Sequence, residues 1–156
     1  MIAEHLASYS DGLSGAALYT GGLTHDLGRL GMLASIRDPY EAFLRDEFED
    51  QQDSEMCEWQ RFGVIHTVAG SLLTQLWGFP STLCSHAENH HSETGFDSEA
   101  DRIVHNACIL ADALGYPELL LRSTATPDAA LQEQADRIYD TCHPIVEERL
   151  QEFLVG

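Results

Sequence analysis

Apolar positions recur with a helical period along most of the chain, and strand-like alternation is almost absent. The clearest segment is 64–77, where positions 64, 65, 68, 69, 72, 73 and 76 are apolar and therefore fall on one side of a helix. A second helix face, formed by Ile103, Ala107, Leu110, Ala111 and Leu114, follows a Ser98-x-x-Asp101 capping box. The pattern predicts an all-α fold.

Turn and cap signals divide this pattern into about seven to nine helices. The predicted helices are Ile2–Ser8, Ser14–Leu33, Pro39–Phe48 after an Asp38 N-cap, Ser54–Phe62, Val64–Trp77, Pro80–His90, Ser98–Leu114 and a last helical region from Thr126-Pro127 towards Phe153. The glycines within Ser14–Leu33 cost helix stability and allow that helix to split. Pro144 is expected to kink or split the last region, and Trp77, Phe79 and Pro80 are expected to pack in the core at a helix corner. The first helix lacks an N-cap and is expected to begin in mid-element, which predicts either that the chain is a fragment or that Met1 is an imposed start.

Length and composition predict a single domain. The chain has 156 residues, of which 44 % are apolar, enough for one core and too many for a disordered chain. No apolar run is long enough for a transmembrane helix, and the N-terminus lacks the basic and apolar regions of a signal peptide. We therefore expect a cytoplasmic protein without a membrane partner.

The charge balance excludes several functions. There are 26 acidic residues against 8 basic ones, a net charge of −18, and every basic residue is Arg. No basic footprint for nucleic acid can be assembled, and without Lys there is no P-loop and no Schiff base. The acidity indicates either a device for solubility or an acidic docking surface.

The cysteines give no sign of a metal or disulfide framework. The sequence has Cys57, Cys84, Cys108 and Cys142, far apart and without a Cys-x-x-Cys pair. This spacing does not indicate a structural zinc site, and disulfides are not expected in a cytosolic chain. Cys84 and Cys108 are interpreted as small buried hydrophobes.

Side chains suited to metal binding occur at intervals on the predicted helices. They are His25, Asp26, His66, His90, His91 and Asp112. Facing helices of a bundle can bring such groups to one point, and imidazole with carboxylate suits Fe, Mn or Zn. The side chains of the adjacent residues His25 and Asp26 would point in two different directions on a helix. The pair could therefore bind two metals, or one metal that lies at a helix end. The alternative is that these groups are hydrogen-bonded core residues without a metal.

Four segments resemble the HDOD domain, a signalling branch of the HD metal-dependent phosphohydrolase superfamily. They are the small-residue segment ALYTGGLTHDLGRLGML, the segment from Glu58 through FGVIHTVAGSLLTQLWGFP, the His90–His91 pair, and ACILADALG with Asp112. The likeness covers about residues 1–125 and is strongest over 14–115, with 126–156 as a C-terminal helical extension. It implies a compact HD-superfamily-like helical bundle over 1–156.

The sequence departs from the enzymatic relatives at two places. Superfamily phosphohydrolases take a first metal-binding His from a helix about 30 residues before the His-Asp pair. Here that position lies before residue 1, and His5 is only 20 residues before His25. After His90–His91 the chain reads SETGFDSEAD, without the loop of the HD-GYP cyclic-di-GMP phosphodiesterases. The resemblance therefore implies a domain without its N-terminal helices and with an incomplete ligand set.

These observations favour a regulatory function over catalysis. The resemblance implies a bacterial signal-transduction module that binds a signalling protein or a small-molecule or nucleotide ligand; the alternative is a metal-dependent phosphohydrolase or phosphodiesterase. The site would be either metal-free or occupied by a divalent ion (Fe, Mn, Zn or Mg). Glu58 is predicted to hydrogen-bond a ligand histidine. Arg29, one turn after His25, is predicted to face a substrate phosphate or to pair with a carboxylate.

Overall fold

The computed structural model describes residues 1–45, 54–92, 95–116 and 127–155. In these ranges the chain forms helices and no strand, which confirms the all-α prediction. The nine helices found there are α1 (Ile2–Ala7), α2 (Gly15–Thr24), α3 (Leu27–Ser35), α4 (Arg37–Arg45), α5 (Ser54–Phe62), α6 (His66–Leu76), α7 (Ser81–Asn89), α8 (Glu99–Ala113) and α9 (Ala129–Val155). Across these helices, no segment has both the length and the apolarity to cross a bilayer.

The predicted helix Ser14–Leu33, which its glycines were expected to weaken and allow to split, is divided. It is two helices, α2 and α3, and the joint between them is His25–Asp26. Ser14 caps α2 by accepting a hydrogen bond from the Ala17 amide, as an N-cap residue does. The break lies at the His-Asp pair rather than at a glycine, so both side chains are at helix ends.

Other boundaries differ from the predictions by a few residues. α4 begins at Arg37, so Asp38 lies in its first turn and is not its N-cap. Residues 46–53, which include the predicted end of this helix at Phe48, and residues 117–126 lie outside the described ranges. α9 runs continuously through Pro144, so of the two expected alternatives, a kink or a split, the split does not occur. The Ser98 cap is confirmed, since its hydroxyl accepts from the Asp101 amide.

Buried apolar side chains form two clusters. The larger joins α1, α2, α8 and α9 and includes Leu18, Val104, Leu110 and Ile138. The smaller lies where α3 meets α4 and contains Met32, Tyr40 and Phe43, with Phe62 of α5 packed against it. The rings of Tyr40 and Phe43 stack with centroids 5.5 Å apart. This second cluster holds Tyr40 in position beside the candidate site.

Two glycines allow helices to approach closely around α6 and α7. A Cβ atom on Gly28 of α3 would lie 1.8 Å from the His66 carbonyl oxygen and 2.6 Å from the Gly70 amide nitrogen of α6. A Cβ atom on Gly21 of α2 would lie 2.6 Å from the His86 ring of α7. These positions therefore require glycine for packing rather than for a special backbone conformation.

Part of the apolar stripe of α6 faces solvent, whereas Ala69 of the same stripe packs against the smaller cluster. Val68, Leu72 and Leu76 are 43 %, 55 % and 82 % exposed, whereas His66, Thr67, Gly70, Ser71 and Thr74 are buried. Trp77 is 58 % exposed, so the prediction that it packs in the core is wrong. The inner face of α6 is polar because it contributes to a buried hydrogen-bond network.

Gly28→Ala should disrupt the crossing of α3 and α6. The added methyl group would overlap backbone atoms that cannot move independently, and we expect a loss of about 3 kcal/mol in the free energy of unfolding. Urea denaturation followed by circular dichroism measures this change. The matched control is Gly22→Ala, whose Cβ atom would contact only the Ala3 methyl group at 3.4 Å. The control should be neutral or stabilising by up to about 1 kcal/mol, and equal losses in both variants would contradict the close crossing.

Candidate metal centre

Three helix ends meet at the candidate centre. His25 and Asp26 lie at the joint of α2 and α3, His66 is the first residue of α6, and His90 and His91 follow the end of α7. Because these helix ends adjoin one another, their side chains lie within reach of a common point. The fold therefore brings together five of the six metal-binding residues predicted from sequence.

The imidazoles of His66, His90 and His91 form a compact group. One ring nitrogen from each lies within 4.8 Å of the others, and the Nε2 atoms of His66 and His90 are 3.3 Å apart. His66 and His90 are each 1 % exposed, and His91 is half-buried. The His25 ring packs edge-on against His90, with centroids 4.8 Å apart.

Backbone acceptors fix which nitrogen of each ring carries the proton. His90 Nδ1 lies 3.0 Å from the Ala87 carbonyl oxygen, and His25 Nδ1 lies 2.7 Å from the Gly22 carbonyl oxygen. A carbonyl oxygen only accepts hydrogen bonds, so each Nδ1 must donate, and the Nε2 of the neutral ring keeps its lone pair. This is the tautomer in which histidine binds a metal through Nε2.

Glu58 is the most heavily hydrogen-bonded side chain of the centre, and it is fully buried. Its Oε2 accepts from both the backbone N–H and the Nδ1–H of His66, each at 2.7 Å. Its Oε1 accepts from Arg29 Nη1 at 3.0 Å and from the Tyr40 hydroxyl at 2.7 Å. Since Ile65 offers no side-chain cap to α6, the Glu58 carboxylate supplies that cap from another helix.

These contacts determine the charge states of the network. Burial by itself raises the pKa of Glu58, but the hydrogen bonds from His66 and the charge of Arg29 outweigh it and hold the pKa below its ordinary value. Burial raises the pKa of Tyr40 far above its usual range, so its hydroxyl stays a donor. An ionised Glu58 that accepts from His66 Nδ1 leaves the Nε2 lone pair of His66 facing the other imidazoles.

Arg29 lies between two carboxylates. Its Nε donates to Asp26 Oδ2 at 2.8 Å, its Nη1 donates to Glu58, and its side chain is only 9 % exposed. The guanidinium therefore connects the His-Asp pair to the residue that orients His66. The second oxygen of Asp26, Oδ1, is buried and 3.7 Å from His66 Nε2, so Asp26 lies at the edge of the histidine group.

Asp112 is not part of this group. It lies half-buried near the end of α8, outside the histidine cluster. The acidic residue that α8 turns inward is Asp101, whose Oδ1 accepts from His86 Nδ1 at 2.8 Å. From the sequence, Asp101 is predicted only as part of the cap of α8, and neither His86 nor Tyr40 is among the candidate site residues. The sequence signal that could have indicated this second His-Asp pair is His86, which lies one helical turn before His90.

The donor set fits a divalent transition metal. Metal–imidazole bonds of about 2.0–2.1 Å in a tetrahedral site separate two ligand nitrogens by about 3.4 Å. The distance of 3.3 Å between the Nε2 atoms of His66 and His90 agrees with this value. Two neutral rings with lone pairs facing each other at this distance would repel, and a shared cation would remove that repulsion. Imidazole with carboxylate favours Fe, Mn or Zn over Mg.

Comparisons with known proteins identify one family. A family model described as HDOD domain matches residues 1–93, more than half of the chain. That range includes the joint of α2 and α3, all of α6 and the His90–His91 pair. No curated protein and no solved structure matches the chain.

Replacing Glu58 by Gln should destabilise the fold. The variant would leave Arg29 without the more buried of its two carboxylates and would place an amide group beside the donors of His66 and Tyr40. We expect a loss of about 3 kcal/mol in the free energy of unfolding, measured by urea denaturation. Tyr40→Phe is the matched control because it keeps the packed ring and removes one donor, for about 1–2 kcal/mol. A Glu58→Gln variant as stable as the wild type would contradict the central position of this carboxylate.

Proposed function

The chain belongs to the HDOD domain family, and on that premise we propose that it is a cytoplasmic regulatory module of bacterial signal transduction. In this proposal it acts by binding a signalling protein or a small ligand and does not hydrolyse phosphate esters. Its histidine cluster holds a divalent metal that supports the binding-competent fold.

The observation that carries the proposal is the position of Arg29. A phosphohydrolase needs cationic donors aimed at the oxygens of the transferred phosphoryl group. Arg29 follows the His-Asp pair by one turn, and two of its donors already bind Asp26 and Glu58 inside the protein. Because this guanidinium already binds two carboxylates of the protein, its position favours a structural centre over a substrate pocket.

The residues that would hold the metal are His66, His90 and His91 through their ring nitrogens, with Asp26 and His25 at the edge of the group. When bound, the ion supplies positive charge and fixed ligand directions. The chain's own contribution is orientation, since Glu58 aims His66 and the Ala87 carbonyl oxygen aims His90. Because the ligands come from three helix ends, an ion that binds only the folded state would stabilise the junction between them.

The metal content of the purified protein tests this proposal. We expect close to one equivalent of Fe, Mn or Zn by inductively coupled plasma mass spectrometry in protein purified without an affinity tag. His66→Gln and His90→Gln should each lose the metal. His143→Gln is the matched control because His143 lies on α9, outside the cluster, and it should keep the metal. Circular dichroism of each variant separates loss of metal from loss of fold.

Activity distinguishes the proposed regulatory module from the phosphohydrolase alternative. We expect no metal-dependent hydrolysis of bis(p-nitrophenyl) phosphate or of cyclic dinucleotides by the loaded protein. Hydrolysis that disappears in His66→Gln but not in His143→Gln would overturn the regulatory proposal in favour of an enzyme. Folded wild-type protein that binds none of these metals, even after incubation with Co²⁺ or Zn²⁺, would overturn the metal component.

A further inference from the structure

The outer face of α6 is an apolar surface in a strongly acidic protein. Val68, Leu72 and Leu76 lie four residues apart and form one exposed row, and the next residue, Trp77, is exposed as well. From Val68 to Leu76 the row is about 12 Å long at the helical rise per residue. A contiguous exposed row of this kind is typical of an interaction surface, unlike single exposed leucines.

The exposed row lies in an uncharged stretch of the sequence and has acidic side chains along one edge. From residue 62 to residue 87 the sequence contains no Asp, Glu, Lys or Arg, although the whole chain has a net charge of −18. Two carboxylates from neighbouring helices lie along one edge of α6. Glu55 of α5 accepts from the Thr67 hydroxyl at 2.5 Å, and Glu88 of α7 accepts from the Ser71 hydroxyl at 3.0 Å. Thr67 and Ser71 each precede a residue of the row, so this edge is acidic while the row itself is neutral.

We propose that the outer face of α6 is the docking surface for an amphipathic helix of a partner protein with Lys or Arg along one edge of its apolar stripe. The apolar stripe would pack on Leu72 and Leu76, with Trp77 as the aromatic anchor. The basic edge would lie beside Glu55 and Glu88. The proposal depends on the binding role of the module but not on its metal.

Geometry and charge select this partner over other classes. Strand addition needs an exposed sheet edge, and the described part of the chain has none. A row with four-residue spacing is a ridge that fits the groove of another helix. A second copy would bring another net charge of −18 to the interface, whereas a basic helix is attracted by the same charge. The acidic edge also gives a basic helix a preferred orientation.

A designed peptide tests the proposal directly. The probe is a Trp-free helix of about five turns, built from Leu and Ala on one face and Lys along one edge. Because Trp59 and Trp77 are the two tryptophans of the chain, Trp77 fluorescence reports binding in a Trp59→Phe background. We expect saturable binding, a change in Trp77 emission, and no binding of a peptide with Glu in place of Lys.

Leu72→Asp separates specific docking from general attraction to an acidic protein. The substitution adds a negative charge, so unspecific attraction of the basic peptide would increase, whereas docking on the row would weaken about tenfold or more. Leu30→Asp is the matched control, since Leu30 of α3 is 61 % exposed and not part of the row. Glu88→Gln should weaken binding a few-fold and reduce its dependence on salt.

Three results would overturn the proposal: equal binding of the basic and acidic peptides, unchanged or tighter binding by Leu72→Asp, or wild-type self-association through this face that Leu72→Asp abolishes in sedimentation experiments. Metal content measured on the same samples keeps the two proposals apart. A metal-loaded protein that fails to bind the peptide rejects the α6 surface and leaves the metal centre intact.

Discussion

The buried carboxylate of Glu58 is the interaction on which the candidate centre depends. It accepts four hydrogen bonds, from two donors of His66 and from the side chains of Arg29 and Tyr40. A carboxylate without access to water is costly unless each oxygen is satisfied, and here both are. One side chain on α5 thereby connects α3, α4 and the start of α6 and sets the orientation of His66.

This network explains the unusual orientation of α6. Its polar and small residues face inward, where His66 meets Glu58 and where Gly70 allows α3 and Ala87 of α7 to approach. Val68, Leu72 and Leu76 are left on the outside. The two faces of one short helix thus differ, with a buried polar face that builds the centre and an exposed apolar row on which we propose that a partner docks. A change at His66 acts on the same rigid element that carries Leu72.

The candidate ligands also depend on helix termination. His25 and Asp26 separate α2 from α3, and His90 and His91 follow α7. His25 and His90 are the C-cap residues of α2 and α7, and both keep helical backbone angles. In addition, carbonyl oxygens near the helix ends become acceptors for His25 Nδ1 and His90 Nδ1. The same chain breaks that bring the imidazoles together therefore select the tautomer that can bind a metal.

The sequence by itself determined the all-α class, the approximate position of most helices, the HDOD family and which side chains are candidates for the centre. Periodicity, caps and motifs are local, and they are readable from neighbouring positions. Only the tertiary structure decided that Ser14–Leu33 divides at the His-Asp pair, that Asp112 lies outside the histidine group and Arg29 inside the protein, and that part of the stripe of α6 is exposed. The physical reason is that a helix buries the face whose contacts with the rest of the fold lower the free energy most. For α6 the hydrogen bonds of Glu58 and the close approach at Gly28 outweighed the burial of three apolar side chains, and those partners are distant in sequence.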